Sequence, residues 1–110
     1  MTLHLVLFRP RPDLTDGDRD ALLDTMRAAS TGIPSVRRFT IGTKLEHAPQ
    51  YRLQGFPDFP YVAWLEFDDE AGLHAYLSHP LHVDLGRRFN DAADAALIFD
   101  FNSWETATVR

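Results

Sequence analysis

Apolar residues occupy both faces of nearly every strand-forming segment in this chain, and that excess of apolar β-surface limits its possible folds more than any other feature. Residues 3 to 8 read Leu-His-Leu-Val-Leu-Phe, so that Leu3, Leu5 and Leu7 alternate with His4, Val6 and Phe8. Residues 61 to 67, Tyr-Val-Ala-Trp-Leu-Glu-Phe, set Val62 and Trp64 against Ala63 and Leu65; residues 96 to 101 set Leu97, Phe99 and Phe101 against Ile98. Successive side chains on a strand point to opposite faces, so a strand that is apolar throughout needs cover on both sides. A four-stranded sheet of six-residue strands presents about 400 Å² per face. The few helices that 110 residues can form will cover only one of them. A bare apolar face of that size marks an interface, and the expected solution is a twofold homodimer whose sheets pack face to face. The alternative is a monomer whose long loop and C-terminal tail fold back over the second face.

The helical segments complete the layout. Thr15 precedes a turn carrying Asp16, Asp18 and Asp20, which a helix N-terminus favours electrostatically, and Leu22, Leu23, Met26 and Ala29 follow on one helical stripe. Gly32 and Pro34 stop that helix, and residues 36 to 43 offer a second strand with Phe39 and Ile41 pointing one way and Arg38 and Thr40 the other. Residues 45 to 60 hold three prolines and three aromatics without a sustained period, which predicts a long loop that packs over something, as a lid or a dimer arm. After the strand at 61 to 67, Asp68, Asp69 and Glu70 open a helix to about Ser78 with Leu73, Tyr76 and Leu77 inward. The His79-Pro80 step breaks it, and Pro80 starts a further helix to about Asp94 with Leu81, Leu85, Phe89 and Ala92 or Ala93 inward. The last strand covers 96 to 101, leaving a tail without regular structure apart from Trp104. The order gives a split βαβ layout in one domain over residues 1–110, an α+β class with four strands and helices on one face.

Charge and composition narrow the function. Sixteen acidic residues against eleven basic ones give a formal charge of −5, which argues against nucleic acid or an anionic membrane as the main partner. The absence of cysteine removes disulfides, thiolate metal sites and cysteine nucleophiles. No apolar run approaches the ~20 residues that span a bilayer, and Met1-Thr2-Leu3-His4 is not a basic leader, so a cytoplasmic location is expected. Glycine-rich phosphate loops, nucleophile elbows and paired-carboxylate signatures are all missing.

Histidine is where chemistry concentrates. Of His4, His47, His74, His79 and His82, three fall within nine residues, in His74-Ala-Tyr76-Leu-Ser-His79-Pro80-Leu-His82. The break at His79-Pro80 lets the turn that carries Tyr76 fold toward the turn that carries His82. A ring near a helix N-terminus disfavours its charged form, so His82 is expected neutral and able to accept a proton, as a general base must. Tyr76 is placed to hydrogen-bond that ring and fix its tautomer, or to polarise a substrate carbonyl. Strand alternation puts His4 on the face of Val6 and Phe8, in the same pocket if that face lies beneath the helices. The expected walls are Val6, Leu23, Met26, Ala63, Leu85, Phe89 and Ile98. His79 reads equally as a cap and turn residue, and His47 and His74 as solvated. His79 and His82 lack a companion ligand at a suitable spacing, so no metal and no other cofactor is expected. An enclosed apolar cavity of about 300 Å³ or more, with His82 and Tyr76 opening into it, separates an enzyme from a non-catalytic domain.

The chain resembles the stress-responsive dimeric α+β barrel, or Dabb, domain family. The resemblance rests on His4-Leu-Val-Leu-Phe8, Ile33-Pro34-Ser-Val36, Leu65-Glu-Phe67-Asp68-Asp69, Tyr76-Leu-Ser-His79-Pro80-Leu-His82-Val83 and Ile98-Phe-Asp100-Phe101. It implies a ferredoxin-like four-stranded antiparallel sheet that dimerises into an α+β barrel, in a family whose activities are mostly unassigned. One branch, a plant polyketide cyclase, uses a histidine and a tyrosine of this string for aldol-type ring closure of a poly-β-ketone. The matching positions here are His82 as base, Tyr76 as its partner and His4 as a pocket histidine, which implies a small apolar or β-keto ligand. Two readings follow: a stress-response homodimer acting by binding or assembly, and a cofactor-free enzyme of base-catalysed cyclisation or isomerisation. Oxygenase-like chemistry rests on fold analogy alone.

Overall fold

A computed structural model describes residues 1–45, 55 and 58–109. Chain order is β1 (Thr2–Pro10), α1 (Asp16–Gly32), β2 (Arg38–Thr43), β3 (Tyr61–Phe67), α2 (Glu70–Ser78), α3 (Pro80–Ala92) and β4 (Ala93–Asn102). The strands form one sheet in the order β2-β3-β1-β4, and every neighbouring pair is antiparallel. With its helices on one face, this is the ferredoxin-like fold.

The helix starts are built as their sequences require. Thr15 caps α1 by accepting from the Asp18 N–H at 3.1 Å, and Asp69 caps α2 by accepting from the Gly72 N–H at 2.9 Å. Each side chain satisfies one donor that the first helical turn leaves open. α1 ends at Gly32, which packs closely under Leu81: a Cβ there would lie 2.8 Å from Leu81 Cδ1 and would push that side chain aside.

Alternation along β1 divides the sheet. His4, Val6 and Phe8 face the helices and are buried, whereas Leu3, Leu5 and Leu7 on the other face are only half buried. The core lies between sheet and helices, where Phe8 and Phe67 are fully buried with Leu22, Met26, Leu65, Leu73 and Phe89 around them. Burial of each large side chain contributes roughly 1.5–3 kcal/mol. On the opposite face, registers Leu3↔Phe101, Leu5↔Phe99 and Leu7↔Leu97 make a continuous apolar surface. Phe99 stays 46% exposed and Phe101 52% exposed.

Several boundaries differ from the sequence expectation. β1 continues through Arg9 and Pro10, because Arg9 pairs with Ala95 and its guanidinium meets Asp94 at 2.7 Å. α3 stops at Ala92 rather than Asp94, and β4 begins without a linker because Ala93 pairs with Pro10. Leu81 is 41% exposed and leaves the inward stripe that Leu85 and Phe89 keep. Trp104 is 95% exposed. Most of the loop expected to act as a lid or dimer arm, with His47, lies outside the described residues. No described helix is long and apolar enough to cross a membrane.

Candidate functional site

Two helices that meet end to end create the site. The His79 N–H donates to the Tyr76 carbonyl at 3.2 Å and closes α2, while its Nδ1 accepts from the Leu81 N–H at 3.1 Å and opens α3. Pro80 follows as the first residue of α3, where its fixed φ suits a helix and its missing N–H costs nothing. His79 is therefore a cap on both sides of the break, and its ring is committed to the backbone. The break brings the Tyr76 and His82 rings together, with centroids 4.6 Å apart and planes inclined by 57°.

The last carbonyls of a helix lack intrahelical donors. In α2 the Leu77 carbonyl is taken by the His82 ring, whose Nδ1 lies 3.0 Å from it. A carbonyl only accepts, so Nδ1 carries the proton and the neutral ring keeps its lone pair on Nε2. The tautomer is thus set by backbone. Of the two roles expected for Tyr76, the hydrogen bond to this ring is not made, and the phenol ring packs against the imidazole. Burial pushes the His82 pKa below the ordinary 6.5; the Leu77 bond works against this and the nearby His4 adds to it.

The sheet supplies the third group. β1 and β4 pair His4 with Asp100, and the His4 Nδ1 lies 2.6 Å from the Asp100 carboxylate. That ring is oriented in the same way, with Nδ1 donating and Nε2 left free. Tyr76 lies between the two histidines, its ring centroid 5.8 Å from that of His4. It is 2% exposed, and burial pushes its pKa up to about 12, so the phenol stays protonated near neutral pH. Among the described residues no hydrogen bond engages its hydroxyl.

His4, Tyr76 and His82 all border one cavity of about 250 Å³. Of the expected walls, Val6, Met26, Ala63, Leu85, Phe89 and Ile98 also border it. Leu23 does not: α1 passes the cavity with its last two turns, through Met26 and Ser30, and Leu23 packs half-buried against the core one turn earlier. At about 250 Å³ and partly open, the cavity falls short of the enclosed one of about 300 Å³ that separates an enzyme from a non-catalytic domain. Sequence reasoning missed Ser30, Phe39, Leu65, Gly86 and Asn90 on its wall. Helical spacing from Met26 to Ser30, and from His82 to Gly86 and Asn90, was the available signal. His74 is exposed, as expected. No group of three side chains able to hold a metal ion occurs among the described residues.

Residues 3–103 match the stress responsive A/B barrel domain, Dabb. Among solved structures, a hydroxynitrile lyase from Passiflora edulis superposes with a TM-score of 0.83 at 19% identity, over 97% of this chain and 96% of that one. A Dabb family protein with a ferredoxin-like fold from Mesorhizobium loti gives 0.77 at 20% identity, over 94% and 97%. A dimeric ferredoxin-like protein of unknown function from Thermobifida fusca gives 0.73 at 19% identity, over 91% and 88%. No curated protein matches the sequence.

Proposed function

The chain belongs to the stress responsive A/B barrel domain family, and from that premise we propose that it is a homodimer in which each subunit holds an acid–base pocket for a small, uncharged carbonyl compound. The observation that carries this reading is the His82 ring, held by the Leu77 carbonyl so that Nε2 is the free base beside an apolar cavity. Its depressed pKa keeps it unprotonated near neutrality, and the protonated Tyr76 phenol beside it is a ready donor. Neither arginine nor lysine borders the cavity among the described residues, so a carboxylate or phosphate would enter without a counter-ion.

In the proposed step, His82 Nε2 takes a proton from a carbon next to a carbonyl, and the C–H electron pair moves into the enolate. The enolate oxygen accepts a hydrogen bond from Tyr76. The enolate carbon then attacks a second carbonyl, a C–C bond forms, and the new alkoxide recovers the proton from His82. The His4–Asp100 pair holds the opposite wall of the pocket and presents a second imidazole nitrogen. A hydroxynitrile lyase shares the fold, so this scaffold hosts at least one lyase.

Dimerisation is supported by the bare apolar sheet face and by dimeric proteins of the same fold. The test of the chemistry is hydrogen–deuterium exchange at the α-carbon of acetophenone and of 1-phenylbutane-1,3-dione, followed by NMR against imidazole buffer. The wild-type protein is expected to accelerate exchange and His82→Gln to lose about 10²-fold or more of that acceleration. Equal rates for the two proteins would remove His82 as the base.

A further inference from the structure

Gly86 stands in the middle of α3 with no packing that calls for a glycine. Gly32 and Gly72 are more closely packed: a Cβ on Gly32 would lie 2.8 Å from Leu81 Cδ1, and one on Gly72 would lie 3.3 Å from Phe67 Cβ, whereas one on Gly17, in the first turn of α1, would make only an ordinary contact at 3.9 Å with Thr15 Oγ1. A Cβ on Gly86 meets nothing within 4 Å. Its backbone makes no special demand either, since Gly55 is the only described glycine with positive φ. Glycine is among the least favourable residues inside a helix. The fold therefore keeps a poor helix former at a position where any small side chain would fit.

What distinguishes the position is its neighbours. His82, Gly86 and Asn90 recur every four residues on one stripe of α3, and all three border the cavity. A helical side chain leans toward the helix N-terminus and covers the turn before its own Cα. A side chain at 86 would thus lie over the turn that carries His82. We propose that Gly86 is the access and specificity residue of the pocket, its missing side chain leaving the free nitrogen of His82 open to a ligand. The inference rests on the acid–base reading above and adds to it the direction of entry, along α3 between His82 and Asn90. Ligands with bulk beside the reacting carbonyl are accommodated because this position is empty.

The test measures access separately from turnover. Diethyl pyrocarbonate acylates unprotonated imidazole nitrogen, and mass spectrometry reads its rate at His82 against exposed His74 as an internal reference. Gly86→Leu is expected to slow His82 modification about 10-fold and to weaken acetophenone binding, read by NMR shifts, by a similar factor. Gly86→Ala is expected to raise Tm by ~4 °C while slowing modification about twofold. An unchanged His82 rate in Gly86→Leu, or an unreactive His82 in the wild type, overturns the proposal. If the leucine variant does not fold, a stabilised Gly86→Ala with a wild-type rate overturns it instead. If His82→Gln retains exchange activity while Gly86→Leu still blocks modification, the acid–base reading fails and the access role stands.

Discussion

The two faces of the sheet are apolar to a similar degree, yet they are used in opposite ways. The face beneath the helices buries Phe8 and Phe67 completely and still makes room for His4, Tyr76 and His82. The other face carries Leu5, Trp64 and Phe99 on adjacent strands and keeps its large side chains partly exposed. Imidazoles enter the covered face because each finds a specific acceptor there, the Leu77 carbonyl or the Asp100 carboxylate. Burial of a polar group without such a partner costs several times the net gain of an ordinary hydrogen bond. The bare face has apolar area and no such pairs at its centre, which suits a surface covered by a second copy. Chemistry therefore goes where the chain supplies its own cover.

The largest effect is expected from charging the bare face. Phe99→Asp places two carboxylates in the proposed twofold interface, and light scattering should show the dimer replaced by monomer, with association weakened by ~10³-fold or more. A wild-type monomer would break the contrast between the faces at once. Truncation on the covered face acts differently. Phe8→Ala should lower unfolding stability by about 3–5 kcal/mol in denaturant titrations.

Asp100→Ala sharpens the contrast within the covered face, because it leaves the buried His4 ring without its acceptor. A loss of about 1–3 kcal/mol is expected at neutral pH, and a neutral outcome would show that the pair does not hold the ring. The smallest effect concerns pH. The His82 pKa is lower in the folded chain than its unfolded value of 6.5. Between the two values the unfolded state binds more protons, so the contribution to stability is complete above about 6.5 and is lost as pH falls through the folded pKa. His82→Gln should flatten that part of the stability profile, and an unchanged slope would assign it to another group.

Much of this was legible in the sequence, for identifiable reasons. Short runs apolar on both faces located β1 and β3, Thr15 and the Asp68-Asp69-Glu70 turn located two helix starts, and the His79-Pro80 step located the junction that brings Tyr76 to His82. The His4–Asp100 pair was not legible as a contact, because it depends on the β1–β4 register, which alternation alone leaves free. The partner of His82 was missed for a related reason: it is a backbone carbonyl, freed by the end of α2, and no side-chain pattern announces it. Leu23 was misplaced because Leu22 and Leu23 both fit an inward stripe. The helix rotates Leu22 into the core, and the cavity begins only at Met26.

The central claim is that His82 is a neutral base with its proton on Nδ1 and its lone pair toward the cavity. Long-range nitrogen–proton NMR of the wild-type protein, followed through a pH titration, tests it most directly. The predicted result is an Nδ1–H tautomer with a pKa below 6.5. An Nε2–H tautomer, or a pKa raised above 6.5, would contradict it.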